Sequence, residues 1–473
     1  MSLLKCAIRE IPADLETPVS AFLKLKSHGA RFLLESVEQA ERIGRYSFIG
    51  VGSATSFKVL KDYVMTEKGG KVDIQPIAGR DPLQILRQFL AGFRLERPST
   101  PLPSLVGGAV GYVGYDYVRH VERLPDSRPD PLEVPICNFL VVNTFVIFDH
   151  FSRRIMVVAL GEREEREEIE RVLKLLDQPL PADVIHPVPV KSPQTFRSSF
   201  SKEEFCGAVG RAKEYIRAGD VFQVVLSQRV EGEIVVEPFQ VYRALRMLNP
   251  SPYMFYIDFG DYKLIGSSPE THVKLDGQRA MERPIAGTRP RGATPDLDAA
   301  LEQELMADEK ERAEHLMLVD LARNDLGRVC RPGSVQVGRF FTLERYSHVM
   351  HIVSETTGEL AASRDQYDLL SNTFPAGTLT GAPKIRAMEI IEALEPVKRS
   401  FYGGTTGYFS LTGDMDMCIT IRSMLVKGRT VILQAGAGIV FDSVPEREWD
   451  ETVSKMKALR EAIDLAGAGL KLS

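Results

Sequence analysis

The sequence predicts an α+β protein built on antiparallel sheets, and three observations carry that prediction. Strand-like segments mostly follow one another directly. Short turn signals join them. Helical patterns fall between pairs of strands, whereas a doubly wound parallel sheet needs one after every strand.

In chain order, "FVIFDHFSRRIMVVAL" (145–160) alternates apolar and polar residues about a polar turn, as paired strands do. "GEREEREEIERVLKLLD" (161–177) reads as a charged helix with one apolar stripe, its charges a solvated face. "RPSTPLP" (97–103) and "QPLPADVIHPVPVKSP" (178–193) read as connectors, and the prolines of the second exclude helix and central strand alike. The chain therefore divides into an N-terminal region 1–177, a Pro-rich connector 178–193 and a larger region 194–473. There, "KEEFCGAVGRAKEYIRAGD" (202–220) is an amphipathic helix stopped at Gly219 and "VFQVVLSQRVEGEI" (221–234) is a strand. "YMFYIDFGDYKLIGSSP" (253–269) is a hairpin with a Gly-Asp turn.

A chain of 473 residues holds one large domain or a few smaller ones. Its net charge of -5 gives no general reason to expect nucleic acid or membrane as a partner. No run of about 18 apolar residues offers a membrane span, and the first residues do not read as a signal peptide. Cys6, Cys137, Cys206, Cys330 and Cys418 are scattered, with no C-x-x-C pair, which points to a reducing, cytoplasmic compartment and away from a disulfide framework or a zinc site.

Three constellations carry chemistry. Glu311 and Glu314 share one face of a helix in "DEKERAEHLMLVDLARNDLG" (308–327), and Glu448 and Glu451 share one face in "PEREWDETVSKMKALREAI" (445–463). Two such faces brought together repel unless a cation sits between them, and hard oxygen donors without His or Cys suit Mg²⁺. The second is anion capture: Gly436 and Gly438 in "QAGAGIVFDS" (434–443) let backbone N–H groups approach a ligand, and Arg422 in the strand-like "CITIRSML" (418–425) needs a partner if its face is covered. "GGAVGYVGYD" (107–116) lacks the G-x-G-x-x-G spacing of a dinucleotide site. The third is acid/base chemistry: Glu270 ends the turn "GSSPE" (266–270), and His351 sits in "HVMHIVSETTGEL" (348–360), read as a strand, with His348 facing the other side.

"PIAGTRPRG" (284–292), "AEHLMLVDLARNDLG" (313–327), "FPAGTLTGAPKIRAMEII" (374–391), "YGGTTGYF" (402–409) and "QAGAGIV" (434–440) followed by E-x-x-E-T-x-x-K together resemble the chorismate-utilising enzymes, in order and over nearly the whole chain. Within that family the pattern is similar to the large-subunit branch that forms anthranilate. The resemblance implies a large α/β sandwich of two antiparallel sheets wrapped by helices, with the active site in the cleft. It implies that chorismate and ammonia become anthranilate and pyruvate, with Mg²⁺ held directly by Glu314 and Glu451 and through water by Glu311 and Glu448. One substrate carboxylate would be held by the metal. The other would meet Arg422, Tyr402, the backbone of Gly436, Ala437 and Gly438, and Lys455, with Gly287 and Thr288 lining the substrate. Glu270 would be the general acid for the departing C4 hydroxyl, its pKa raised by burial near other anions. His351 and Thr378 would serve loss of pyruvate and of the C2 proton.

The same resemblance implies a separate glutamine amidotransferase subunit, since no cysteine here lies on a G-x-C-x-G elbow. It also implies feedback inhibition by L-tryptophan, bound by Ser36 of "LLES" (33–36) and by Pro252, Tyr253 and Met254 in the turn of "NPSPYMFY" (249–256). Two positions separate the branches. Enzymes that aminate C4 carry a lysine where this chain has Ala286, and those that add water carry a lysine at Gln223, which can position ammonia but cannot deprotonate water. Both point to attack by ammonia at C2 and away from an aminodeoxychorismate synthase. A non-catalytic amino-acid sensor would be free to lose the glutamates and His351, which are all present.

Overall fold

The computed structural model describes the chain except residues 1, 37–43, 53–54, 97–101, 163–164, 181, 186, 191–194, 347–348 and 472–473. His348 and most of the 97–103 connector lie outside the described residues.

Among the described residues, two large sheets of thirteen and eleven strands and a small one of three form the molecule. Every pairing is antiparallel except Ser2–Leu4 against Phe93–Leu95. Side-chain alternation explains how the layers stack. In the strand Tyr253–Asp258, Phe255 and Ile257 enter the apolar layer between the two large sheets, whereas Met254 and Tyr256 face the outer helices. The outer face of the thirteen-stranded sheet is covered by the helices Pro238–Leu248 and Pro445–Gly467. That of the eleven-stranded sheet is covered by Glu309–Gly327 and Gln366–Thr373. The result is the predicted α+β sandwich of antiparallel sheets wrapped by helices.

The regions before and after the connector share both sheets. Phe32–Glu35 pairs with Tyr253–Asp258 in one, and Gly108–Val113 pairs with Thr405–Ser410 in the other. Gly111 lies in that second ladder, where a Cβ would meet the Asn138 carbonyl oxygen at 1.9 Å, so its glycine serves strand packing.

Three local expectations hold. Lys202–Arg217 is a helix capped by Ser201 and ended before Gly219, whose φ is +83°. Gln223–Glu233 is a strand, and Tyr253–Asp258 with Tyr262–Ser268 is the hairpin. Two need correction. The charged helix runs only Arg166–Leu176, because Gly161 is still in the strand Arg154–Gly161. The Pro-rich connector does contain a helical turn, Ala182–Ile185, in a stretch whose own residues include no proline.

Candidate active site

Two strands change sheet at one corner, and this corner builds the site. Tyr262–Ser268 belongs to the thirteen-stranded sheet and Thr271–Asp276 to the other; Glu270 sits on the crossover between them. Met415–Ile419 and Ser423–Lys427 make the reverse passage, with Arg422 on it. The two crossovers are laced together: the Ile419 N–H donates to the Glu270 carbonyl at 3.0 Å, and the Ser267 N–H donates to the Arg422 carbonyl at 3.0 Å. Arg422 is thus not in an alternating strand as expected. Its φ of +49° is the left-handed conformation this reversal requires, and such strain persists only where surroundings fix it.

Glu270 is half-buried, and burial pushes its pKa up to about 7. Lys455 and the facing Thr378 hydroxyl draw it partly back. The cause is burial, and no anion contributes, contrary to expectation. Thr378 Oγ1 is itself buried and makes no hydrogen bond of good geometry, which leaves a polar atom directed at the carboxyl.

The strand Thr430–Ile439 supplies the anion-binding edge. It pairs with Gln223–Glu233 along its whole length, but Ser423–Lys427 covers its other edge only up to Leu433. The Gly436 carbonyl accepts from Lys455 Nζ at 2.9 Å on that open edge, and its N–H reaches the Tyr402 hydroxyl. Strand alternation places Gly438 on the same edge. Ala437 is turned the other way: its backbone faces the paired strand and its side chain packs in the core with Phe205 and Ala387, so it belongs to the ladder and not to the anion-binding edge. Lys455 Nζ also pairs with Glu451 at 2.7 Å. Arg422 is held by the Lys455 carbonyl at 3.1 Å; burial lowers its pKa, opposed by the Tyr402 and Glu451 charges.

The small sheet brings in the remaining groups. Thr288 pairs with His351, and Gly287, at φ +66°, makes the bulge beside them. His351 Nδ1 lies 2.9 Å from the Gly287 carbonyl oxygen and 3.1 Å from Thr288 Oγ1. A carbonyl only accepts, so Nδ1 carries the hydrogen and Nε2 keeps its lone pair. Burial lowers the His351 pKa and Arg422 adds to this, against the Gly287 carbonyl and Glu344, so the ring is neutral at pH 7.

The carboxylate pairs behave as spaced. Burial, then Glu314, raises the pKa of Glu311; burial raises that of Glu448, with Glu451 adding. Lys310, from the first turn of one helix, acts on Glu448 of the other. Each pair is meanwhile partnered: Glu311 with Arg289, Glu314 with Gln223 Nε2 at 3.0 Å, Glu451 with Lys455. Among the described residues no three His, Cys, Asp or Glu side chains converge as a ligand cage. The donor set itself, carboxylates alone with like-charged neighbours, fits a hard divalent cation.

Gln223 is clamped between Glu314 and Gly438, where a Cβ would come within 2.7 Å of its Nε2. We expect Gly438→Ala to push Gln223 off Glu314 and lower turnover about tenfold at unchanged melting temperature, read by steady-state kinetics and calorimetry.

Ser36 lies beside Tyr253 in the register that pairs Met254 with Glu35. Its hydroxyl is buried without a partner. Tyr253 and Met254 are in a strand, not a turn, with only Pro252 preceding it. Met254 is buried under the outer helices, and the Tyr253 hydroxyl bonds Thr271 Oγ1 and Asp416, each at 2.9 Å.

Sequence reasoning missed Arg399. It is fully buried, paired with Glu395 at 2.6 Å, and donates to the carbonyls of Leu379 and Val225, with its guanidinium 5.9 Å from the Tyr402 ring. It braces the segment carrying Thr378 and the ring of Tyr402. The signal was the i,i+4 pair Glu395 and Arg399 ahead of "YGG" (402–404).

Such a corner, with an acid, a free imidazole nitrogen, an anion-binding edge and paired glutamates, defines an enzyme for a small polyanionic substrate. The chain belongs to the chorismate-binding enzyme family, whose profile matches residues 29–461. It is 48% identical to anthranilate synthase component 1 of Aquifex aeolicus, over 97% of this chain and 94% of that protein. The identity to the protein of the same name from Thermus thermophilus is also 48%, over 97% of each. The crystal structure of anthranilate synthase component I from Streptococcus pneumoniae superposes with a TM-score of 0.80 at 37% identity, covering 95% of this chain and 99% of that one.

Proposed function

We propose that this chain is the synthase subunit of an anthranilate synthase, converting chorismate and ammonia to anthranilate, pyruvate and water at the first committed step of tryptophan biosynthesis. The observation that carries this reading is the pair of crossovers that set Glu270, an acid still half protonated near pH 7, beside Arg422 and the open Gly436 edge. The near full-length likeness to anthranilate synthase components supports it.

Arg422, Tyr402, Lys455 and the N–H groups of the open edge hold one substrate carboxylate. Glu311, Glu314, Glu448 and Glu451 would hold Mg²⁺, which when bound neutralises the second carboxylate. Gln223 donates its amide N–H to Glu314, so its Oε1 is left to accept from ammonia and aim the nitrogen lone pair at C2. Glu270 gives its proton to the C4 hydroxyl, which leaves as water. The ammonium formed at C2 loses its extra proton to water, His351 Nε2 then takes the C2 proton as the C3–O bond breaks, the released enolpyruvate takes up a proton at its methylene carbon to become pyruvate, and Thr378 orients Glu270. Ala286, buried in the strand beside Gly287, offers no amine to compete with ammonia.

Ammonia comes from a partner glutamine amidotransferase. The purified chain should make fluorescent anthranilate from chorismate, Mg²⁺ and ammonium at alkaline pH, but not with glutamine in place of ammonium; turnover with glutamine would refute the partner. L-Tryptophan is the inhibitor, seated at Ser36, Pro252, Tyr253 and Met254. The link from Tyr253 to Thr271, next to Glu270, supports transmission to the acid. Ser36→Phe should raise the tryptophan concentration for half inhibition by more than tenfold, and an unchanged value would count against that seat. The free cysteines support a reducing cytoplasm, and no helix among the described residues is long and apolar enough to cross a membrane. Residues 1–177, 178–193 and 194–473 remain the proposed regional division.

A further inference from the structure

Arg289, between the substrate-lining Thr288 and the glutamate helix, has no part in the reaction above. Its guanidinium faces three carboxylates: Glu304 at 2.8 Å, Asp308 at 2.9 Å and Glu311 at 3.4 Å. It also donates to the Thr288 carbonyl at 3.1 Å. Each carboxylate has a different place in the fold. Glu304 lies on the helix Pro295–Ala307, and Asp308 caps the helix Glu309–Gly327 by accepting from the N–H groups of Lys310 and Glu311. Glu311 is in the first turn of that helix. The neighbouring Arg291 is different in kind: two nitrogens grip the single carboxylate of Asp298 at 2.8 and 2.9 Å.

Two of Arg289's contacts are short anchors, and the third, to Glu311, is long. Glu311 can therefore turn away while Arg289 stays fixed. We propose that Arg289 is a resident counter-ion that competes with the divalent cation for Glu311, and so sets the metal affinity of the site. It is a positioning residue, since it touches no reacting atom. The inference rests on the reading that the paired glutamates take Mg²⁺. An acid with a like charge three residues along the same helix, as Glu311 has in Glu314, needs such a counter-charge whenever the metal is away. The arrangement also ties metal uptake to the strand that carries Gly287 and Thr288, because the same guanidinium holds the Thr288 carbonyl.

The test is direct Mg²⁺ titration without substrate, by calorimetry and by the fluorescence of the single tryptophan, Trp449, adjacent to Glu448. Arg289→Gln should bind Mg²⁺ about tenfold more tightly at low ionic strength, the effect of removing one positive charge a few ångströms away. The gain should shrink in high salt. Arg289→Lys should stay within about twofold of the parent. Glu304→Gln alters an exposed carboxylate and leaves Arg289 to lean on Glu311; it should weaken Mg²⁺ binding, and it serves as the test if Arg289→Gln does not fold. A merely structural Arg289 would give weaker binding on its removal, so unchanged or weaker binding by Arg289→Gln, or unchanged or tighter binding by Glu304→Gln, overturns the proposal. A parent chain that binds no Mg²⁺ would instead overturn the metal reading beneath it.

Discussion

Glu270→Gln is expected to lower kcat for anthranilate formation about a thousandfold, within the range that general acids supply, and to change the KM for chorismate only a few-fold. The amide keeps the size of the carboxyl and can still hydrogen-bond, but it has no proton to give a departing hydroxyl. The parent enzyme should carry the complementary pH signature. The acid must be protonated, so kcat/KM, expressed per unbound NH₃, should fall as pH rises through about 7. The variant should lose that limb. The substitution should move stability in the opposite direction to activity. Burial raises the folded pKa of Glu270 from 4.5 to about 7, so the native state holds its proton more tightly than the unfolded chain. Its stabilising contribution is complete below pH 4.5 and is lost as pH rises to 7, which costs the fold up to about 3 kcal/mol above that point. Glu270→Gln should therefore melt higher than the parent at pH 8 and approach it below pH 4.5, in calorimetric scans at matched salt.

His351→Asn is expected to separate the two halves of the reaction. On the proposed roles, amination and loss of the C4 hydroxyl depend on Gln223 and Glu270, on other elements, and should continue. Removal of the C2 proton is the role proposed for His351 Nε2, whose lone pair is freed because Nδ1–H is committed to the Gly287 carbonyl. Without that base, chorismate should be consumed while anthranilate fluorescence falls at least a hundredfold, and an aminated species still carrying its enolpyruvyl group should accumulate in chromatograms. Equal loss of chorismate consumption and of product would place His351 in the first half instead.

The fold class was legible because strand alternation and hairpin turns are local signals. Tyr253–Ser268 could be read as a hairpin from its own residues. The sheet crossovers could not, because nothing within "CITIRSML" (418–425) says that its two strands join different sheets. Arg422 was for that reason placed in a strand. The carboxylate spacing revealed that each pair shares a helix face, but not that Arg289, Gln223 and Lys455 would partner them. Arg289 and Gln223 come from strands elsewhere in the sequence, whereas Lys455 is one helical turn from Glu451. Burial was the other limit. The raised pKa of Glu270 was expected, yet its cause is burial and not neighbouring anions, and only packing reveals how deeply a turn residue is enclosed. The helical turn at Ala182–Ile185 was not legible because four residues are too few to show a helical period.

The central claim is that the corner holding Glu270 and Arg422 directs ammonia to C2 of chorismate. It is tested most directly by mixing the purified chain with chorismate, Mg²⁺ and ¹⁵N-labelled ammonium, and locating the label in the product by NMR. The expected product is anthranilate with ¹⁵N on the ring carbon ortho to the carboxylate, with one pyruvate released per molecule. Label at C4, in aminodeoxychorismate, or an unlabelled hydroxylated isomer of chorismate, would contradict it.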